Sequence, residues 1–325
     1  MAMEVKYALF SGSCLCLTAV QYLLQRGQLS CVVLIEAEPN PDLVQLQRFL
    51  HHHQIPMLQY KTASDDALIA DLDRLGANSG IAYLFKHKLR AKLIDFFAGD
   101  VLNIHPSALP DYRGPMPVFW QLKNGADTVR LTLHKVAEQL DTGDIATHID
   151  LPVHPFDTSQ CFHQKIAQAV PALLEQFAQQ QAAGTLNWQA QSEHIDIDGE
   201  QCEPRYAAHV QVEDLLIDWR HHTSTEIVNL ARAANAELGG ARFKFREGML
   251  QLMQASSMEC KLAGIKPGTI LELDRIKGLL VKTVDGAIRL DTILTEQGIF
   301  DGYRFAVLFG LEPGLEVAAS SEGRM

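Results

Sequence analysis

No apolar run in this sequence approaches the roughly 20 residues that a helix needs to span a bilayer; Cys31 to Ile35 and Gly278 to Val281 are among the longest. A helical membrane protein is therefore excluded. No CxxC pair occurs among the six cysteines, at 14, 16, 31, 161, 202 and 260, and their spacing suits neither a zinc site nor a disulfide framework. Reduced thiols and no metal are expected. Residues Met1 to Tyr7 lack the charged start, apolar stretch and small-residue cleavage site of a secretory leader, so the expected location is the cytoplasm. Basic charge is also scarce: 28 Lys plus Arg stand against 39 Asp plus Glu, a net −11. A chain of that sign repels polyanions at long range. Neither an internal repeat nor a low-complexity tract is present, and an apolar share of 47% excludes a disordered class.

What is present is enough sequence for two cores, since 325 residues exceed the usual domain of about 100 to 200. The first half alternates short β-rich runs with helical patterns, as an α/β domain with a largely parallel sheet does. Strands are expected at Val5–Phe10, Cys31–Ile35, Ile55–Leu58, Gly80–Leu84 and Val101–His105, with helices at Leu15–Leu24, Leu43–His52, Asp65–Leu75 and Leu89–Phe97. Arg130–Val136 and Ile145–Leu151 alternate polar and apolar residues, which predicts half-exposed antiparallel strands. A long Ala- and Gln-rich helix follows at Ser159–Gln181. Beyond a polar, proline-containing stretch the texture changes to one amphipathic helix, Thr223–Asn235, and short strands at Ala241–Phe245, Met249–Gln254, Thr269–Leu273, Leu279–Thr283 and Ala287–Leu290. Short strands divided by Gly and Pro predict a small barrel. The domain boundaries expected from this are 1–190, a linker at 191–207, and 208–318.

The chemistry concentrates in Asn103-Ile-His105-Pro-Ser-Ala-Leu-Pro110-Asp-Tyr-Arg113-Gly-Pro115. Side chains at i and i+2 of a strand share a face, so Asn103 and His105 project together at the end of theirs. Leu140-Asp141-Thr-Gly-Asp144 then offers a carboxylate at a tight turn beside that strand end, where α/β sheets place ligands. Acyl transfer to an amine requires an oxyanion donor, a proton acceptor and a group to orient the acceptor. An Asn amide, an imidazole and a carboxylate supply these in turn. Singly, each residue is as well explained by a strand-end hydrogen bond or a turn.

The whole string closely resembles the signature of the methionyl-tRNA formyltransferase family and its N-formyltransferase relatives. Ile217-Asp-Trp219, Pro267-Gly-Thr269 and Asp285-Gly-Ala-Ile-Arg-Leu290 extend the likeness over nearly all of the chain. The resemblance implies a Rossmann-like, mostly parallel N-terminal sheet with the formyltransferase fold and a smaller OB-like β-barrel domain. It also implies 10-formyltetrahydrofolate as donor, with Asn103, His105 and Asp141 as the catalytic residues. The folate pocket it implies is lined by Ala82, Tyr83, Leu84, Phe85 and Leu89, by Ser107, Ala108, Leu109 and Pro110, and by Val136, Gln139 and Leu140.

Members acting on initiator tRNA carry a basic, Gly-containing insertion after the second strand, whereas Glu36 to Asp42 is short and acidic here. Residues 82 to 89 lack those enzymes' glycine and proline and are closer to sugar N-formyltransferases, and Ser11-Gly-Ser-Cys14 lacks the fuller glycine-rich loop of glycinamide ribonucleotide formyltransferase. The expected acceptor is a small-molecule primary amine, such as an amino sugar, amino acid or biosynthetic intermediate. Initiator tRNA is the alternative, and hydrolysis of the formyl folate a further one. Ser11, Arg113 and Trp120 are candidate acceptor contacts; Arg113 is read equally well as a loop-fixing arginine and Trp120 as core. His134 alternates on a strand near the site and could face the pocket, but a satisfied structural role is the stronger reading; His51-His-His53 is read as a solvated helix end. Oligomeric state is left open.

Overall fold

The computed structural model describes residues 4–36, 38, 40–61, 65–191 and 203–317. The chain divides into two compact units. One is drawn from Met1–Pro117, Thr128–Pro152 and His163–Ala208; the other takes in Val118–Asp127 and Val153–Phe162 with His209–Met325. Most of the linker expected at 191–207 lies outside the described residues.

In the first unit, strands β1 (Tyr7–Ser11), β2 (Leu29–Ile35), β3 (Met57–Tyr60), β4 (Ser79–Ala82), β5 (Val101–His105), β6 (Thr128–Lys135) and β7 (Ile145–Pro152) form one sheet in the order β3-β2-β1-β4-β5-β6-β7. The first five are mutually parallel. Strands β6 and β7 are antiparallel additions, in line with their alternating pattern. Strand order reverses between β1 and β4, and the carboxyl ends there open the crevice that such sheets use for ligands. Helices α1 (Leu17–Gln25), α2 (Pro41–His52), α3 (Asp66–Arg74) and α4 (Ala91–Phe96) connect the parallel strands, and Ser159–Ala182 follows β7 as the long helix α6. Ala8 and Phe10 of β1 and Cys31 and Val33 of β2 are fully buried, in one core with Leu68 and Leu72 of α3, Leu93 of α4 and Val101 of β5.

Helix α2 starts two residues earlier than its apolar pattern, because Asn40 caps it, accepting from Leu43 N at 2.9 Å, and Pro41 occupies the first turn. Strand β4 stops at Ala82 rather than Leu84; Leu84 takes a left-handed conformation at φ 55°, which ends pleating. Strand β3 sits two residues later than expected, with Tyr60 buried.

In the second unit, β8 (Ala241–Phe245), β9 (Gly248–Met258), β10 (Ile270–Asp274), β11 (Gly278–Lys282), β12 (Ala287–Thr295) and β13 (Gly298–Phe300) form an antiparallel sheet in the order β10-β11-β12-β9-β8, with β13 on β12. Helix α7 (Ser224–Ala234) begins in a capping box between Thr223 and Glu226. Helix α5 spans Pro117–Lys123; β13 and α8 (Gly302–Phe309), which Asp301 caps and Gly310 ends at φ 63°, are among the elements not expected from the sequence. No helix among the described residues is long and apolar enough to cross a membrane.

Candidate active site

Strand β5 carries Asn103 and His105 on one face, and its antiparallel ladder with β6 sets Asn103 opposite His134 and His105 opposite Thr132. The chain leaves β6, turns, and returns to β7. Asp141 stands in that turn at φ 56°. Lys135 N donates to Asp144 O at 2.9 Å to close it, and Gln191 Nε2 donates to the carbonyls of Asp141 at 2.8 Å and Gly143 at 2.9 Å. Gly143 is required for the close approach: a Cβ on it would sit 2.1 Å from Lys135 O.

So held, the Asp141 carboxylate accepts from Gly114 N at 3.0 Å and Asn103 Nδ2 at 3.1 Å. His105 Nδ1 is 3.6 Å away on one side and His134 Nε2 is 3.6 Å away on the other. The three groups expected from the sequence thus meet, with Asp141 6% and His105 5% exposed. His105 Nε2 lies 2.8 Å from Tyr112 O. A carbonyl only accepts, so Nε2 carries the proton and a neutral ring presents Nδ1 as a lone pair. Tyr112 is held in place as its own N–H donates to Arg205 O at 2.6 Å.

Burial pushes the His105 pKa below its ordinary value, outweighing the Asp141 charge that pulls it up; His134 pushes it further down and the Tyr112 carbonyl pulls it up. For Asp141, burial acts upward, but the neighbouring His134 and His105 rings and the Gly114 N–H outweigh it and leave the carboxyl below its ordinary value. A neutral imidazole beside an ionised carboxylate is the resulting state near neutrality.

The residues read as folate-lining follow β4, β5 and β6. Ala82, Tyr83, Leu89, Ser107, Leu109 and Pro110 are buried; Ala108, Gln139 and Leu140 are exposed. Phe85 packs edge-on against Phe10 and Tyr60, with centroids 5.6 and 5.2 Å away. Leu84 O accepts from Gly12 N at 3.2 Å, and Val136 N donates to Val101 O at 2.8 Å. Ser107 is committed to its loop, its hydroxyl donating to Asp111 O at 2.6 Å.

Among the acceptor candidates, Ser11 is 0% exposed and offers an acceptor no surface in this conformation. It ends β1 and its Oγ faces Ser13 N at 3.5 Å. Arg113 donates from Nε to Gln191 Oε1 at 3.0 Å and again from Nη2, so it fixes the residue that holds the Asp141 turn. Trp120 belongs to the second unit, where it lies edge-on to Phe119 and 4.7 Å below Lys123 Nζ.

His134, for which the sequence favours a structural role over a pocket-facing one, stands in the cluster opposite Asn103, and one further residue of the cluster, Gln191, is not found from the sequence. Gln191 lies in an irregular stretch beyond α6. The triplet His51–His53 is exposed at the end of α2, as expected.

The family model described as formyl transferase matches residues 6–177, and that for the formyl transferase C-terminal domain matches residues 209–305. A methionyl-tRNA formyltransferase from Pseudothermotoga lettingae is 31% identical over 221 residues, 68% of this chain and 68% of that protein. In fold, the chain is similar to HypX from Aquifex aeolicus in complex with tetrahydrofolic acid, at TM-score 0.59 and 17% identity over 96% of this chain, which spans about half (49%) of that one. It is also similar to an N-formyltransferase from Helicobacter canadensis in complex with folinic acid and dTDP-3-aminofucose, at TM-score 0.62 and 16% identity over 87% of this chain and 98% of that one. With both family models matched and the Asn103, His105 and Asp141 side chains gathered at the end of β5, the chain belongs to the formyl transferase family.

Proposed function

We propose that the enzyme transfers the formyl group of 10-formyltetrahydrofolate to a primary amine on a small molecule, with Asn103, His105 and Asp141 as its catalytic residues. The single observation carrying this is the meeting of an amide donor, a basic imidazole and an ionised carboxylate, with Asp141 3.1 Å from Asn103 Nδ2 and 3.6 Å from His105 Nδ1. That donor set fits a formyl carbonyl under attack by an amine. Tetrahydrofolic acid and folinic acid in the two neighbouring structures support the donor.

When bound, the folate supplies the formyl carbon, which gains a bond to the acceptor nitrogen and loses its bond to N10, leaving tetrahydrofolate and a formamide. Asn103 donates an N–H to the carbonyl oxygen as that oxygen gains charge. His105 Nδ1 takes the proton released by the attacking amine, its Nε2–H anchored on Tyr112 O. Asp141 stabilises the imidazolium so formed. The proton then passes from His105 to the departing N10. No covalent bond to the enzyme is needed.

Because transfer uses neutral His105, and burial lowers its pKa, the rate falls as pH drops through a value below the ordinary 6.5 of an imidazole. A kcat profile with chemistry limiting checks this; a rate that stays flat on the acid side down to the pH at which the enzyme unfolds contradicts the base role.

Charge supports the small-molecule acceptor. The stretch after β2 is short and carries Glu36, Glu38 and Asp42, and Asp42 accepts from Cys14 N at 3.2 Å, making it part of the fold rather than a replaceable surface acid. Residues 208 to 325 hold 13 Lys plus Arg against 16 Asp plus Glu, a poor surface for phosphates. The dTDP-3-aminofucose in the Helicobacter canadensis complex supports an amino-sugar-like acceptor, whereas the methionyl-tRNA formyltransferase relative favours initiator tRNA as a second reading. Purified enzyme with formyl folate should formylate members of a small-amine panel and leave charged initiator tRNA largely unmodified. Efficient formylation of the tRNA defeats the small-molecule reading.

A further inference from the structure

One side chain in the cluster has no part in the transfer steps above. His134 lies on β6 opposite Asn103, and the register of β6 against β7 shifts between Leu133 and His134, an irregularity of the kind that re-aims a side chain beside a site. The ring is 1% exposed. Its Nδ1 is 2.7 Å from Lys135 O. The carbonyl can only accept, so Nδ1 carries a proton, and in the neutral ring Nε2 is then a lone pair. That lone pair faces Asn103 Nδ2 at 3.1 Å.

Asn103 Nδ2 also donates to Asp141 Oδ1 at 3.1 Å. Each of its two N–H bonds therefore has its own acceptor, and the amide has one allowed orientation, since a flip would set its oxygen against both a carboxylate and a lone pair. Resting on that formyl-transfer reading, we propose that His134 is a positioning residue: as the Nδ1–H tautomer it orients the Asn103 amide and holds the N–H that passes to the formyl oxygen during the reaction. The carboxylate is the stronger acceptor of the two, so Asp141 retains its N–H and the bond to His134 gives way. A neutral partner keeps that N–H out of water without competing strongly with an oxyanion. The other groups facing this ring are Asp141 Oδ1 at 3.6 Å and the His105 ring, 6.3 Å between centroids.

The tautomer is measured directly by nitrogen-15 NMR of the wild-type imidazoles, which should show His134 protonated at Nδ1 and bare at Nε2 near neutral pH; an Nε2–H tautomer or an imidazolium overturns the proposal whatever the activity. In kinetics, His134→Leu should lower kcat about 10- to 100-fold with the KM for formyl folate within about twofold, and His134→Gln, which keeps an acceptor oxygen, should recover most of that loss. Wild-type kcat in His134→Leu overturns the proposal. So does a parallel loss of kcat and folate affinity in both variants, which marks a merely structural residue. If His134→Leu does not fold, His134→Gln and the tautomer decide. Absence of transfer from formyl folate to any amine by the wild-type enzyme defeats the formyl-transfer reading instead, a result separable from the NMR outcome.

Discussion

Replacing His105 by Ala lowers the rate of formyl transfer by about 10²- to 10⁴-fold, the contribution expected of a positioned general base, while formyl-folate affinity stays within a few-fold. The ring meets the site through Nδ1 alone, its Nε2–H being engaged on Tyr112 O at 2.8 Å. Its removal therefore takes away the proton acceptor and leaves Asn103 and Asp141 in contact at 3.1 Å. Single-turnover rates and a folate titration check the two halves separately. Turnover at the wild-type rate removes His105 from its role. The deletion also removes the bond from the ring to the Tyr112 carbonyl, at a stability cost of about 1 kcal/mol, so thermal unfolding belongs beside the kinetics. His105→Gln, which refills part of the space without a comparable base, should remain slow while regaining some of that stability.

A methyl group on the Asp141 turn should do nearly as much damage. In Gly143→Ala the new Cβ would meet Lys135 O at 2.1 Å and the carbonyl carbon at 2.8 Å. Both belong to the backbone where β6 ends, and Lys135 N is itself bonded to Asp144 O at 2.9 Å, so neither side can yield without opening the turn. Overpacking of this kind costs about 1–3 kcal/mol. The same movement shifts Asp141, and misplacement by an ångström is enough to lower catalysis about 10²-fold. Lowered Tm together with lowered kcat is the expected result. A variant with wild-type values of both shows that the turn tolerates the methyl and that Gly143 is not needed there.

The sequence disclosed most of the framework through periodicity. Buried β-branched runs such as Cys31–Ile35 became central parallel strands, and the alternation in Arg130–Val136 and Ile145–Leu151 became the antiparallel pair beside them. Element ends were harder, because they depend on single residues: the Asn40 cap lengthened α2, and left-handed Leu84 shortened β4. Helix α8 escaped notice although Asp301 and Gly310 mark its two ends, since eight largely apolar residues are too few to show a helical period. In the site, Asn103 and His105 were legible because strand geometry places i and i+2 together. For His134 the structural reading outweighed a pocket-facing one, because its value depends on which residue of β5 it faces, a matter of register between strands about 30 residues apart.

By itself the sequence determined the reaction type and the two folding patterns. An amide and an imidazole two apart on a strand, followed by a carboxylate in a Gly-containing turn, suit acyl transfer, and the resemblance of the whole string to formyltransferases implies that reaction. Tertiary structure decided how those groups are held and protonated. Asp141 reaches both partners because a turn closed against Lys135 and Gln191 carries it there; His105 presents Nδ1 because the Tyr112 carbonyl occupies its other nitrogen; and Ser11 is enclosed rather than offered to an acceptor. Each of these depends on residues distant in the chain, whose meeting is set by register and burial rather than by spacing.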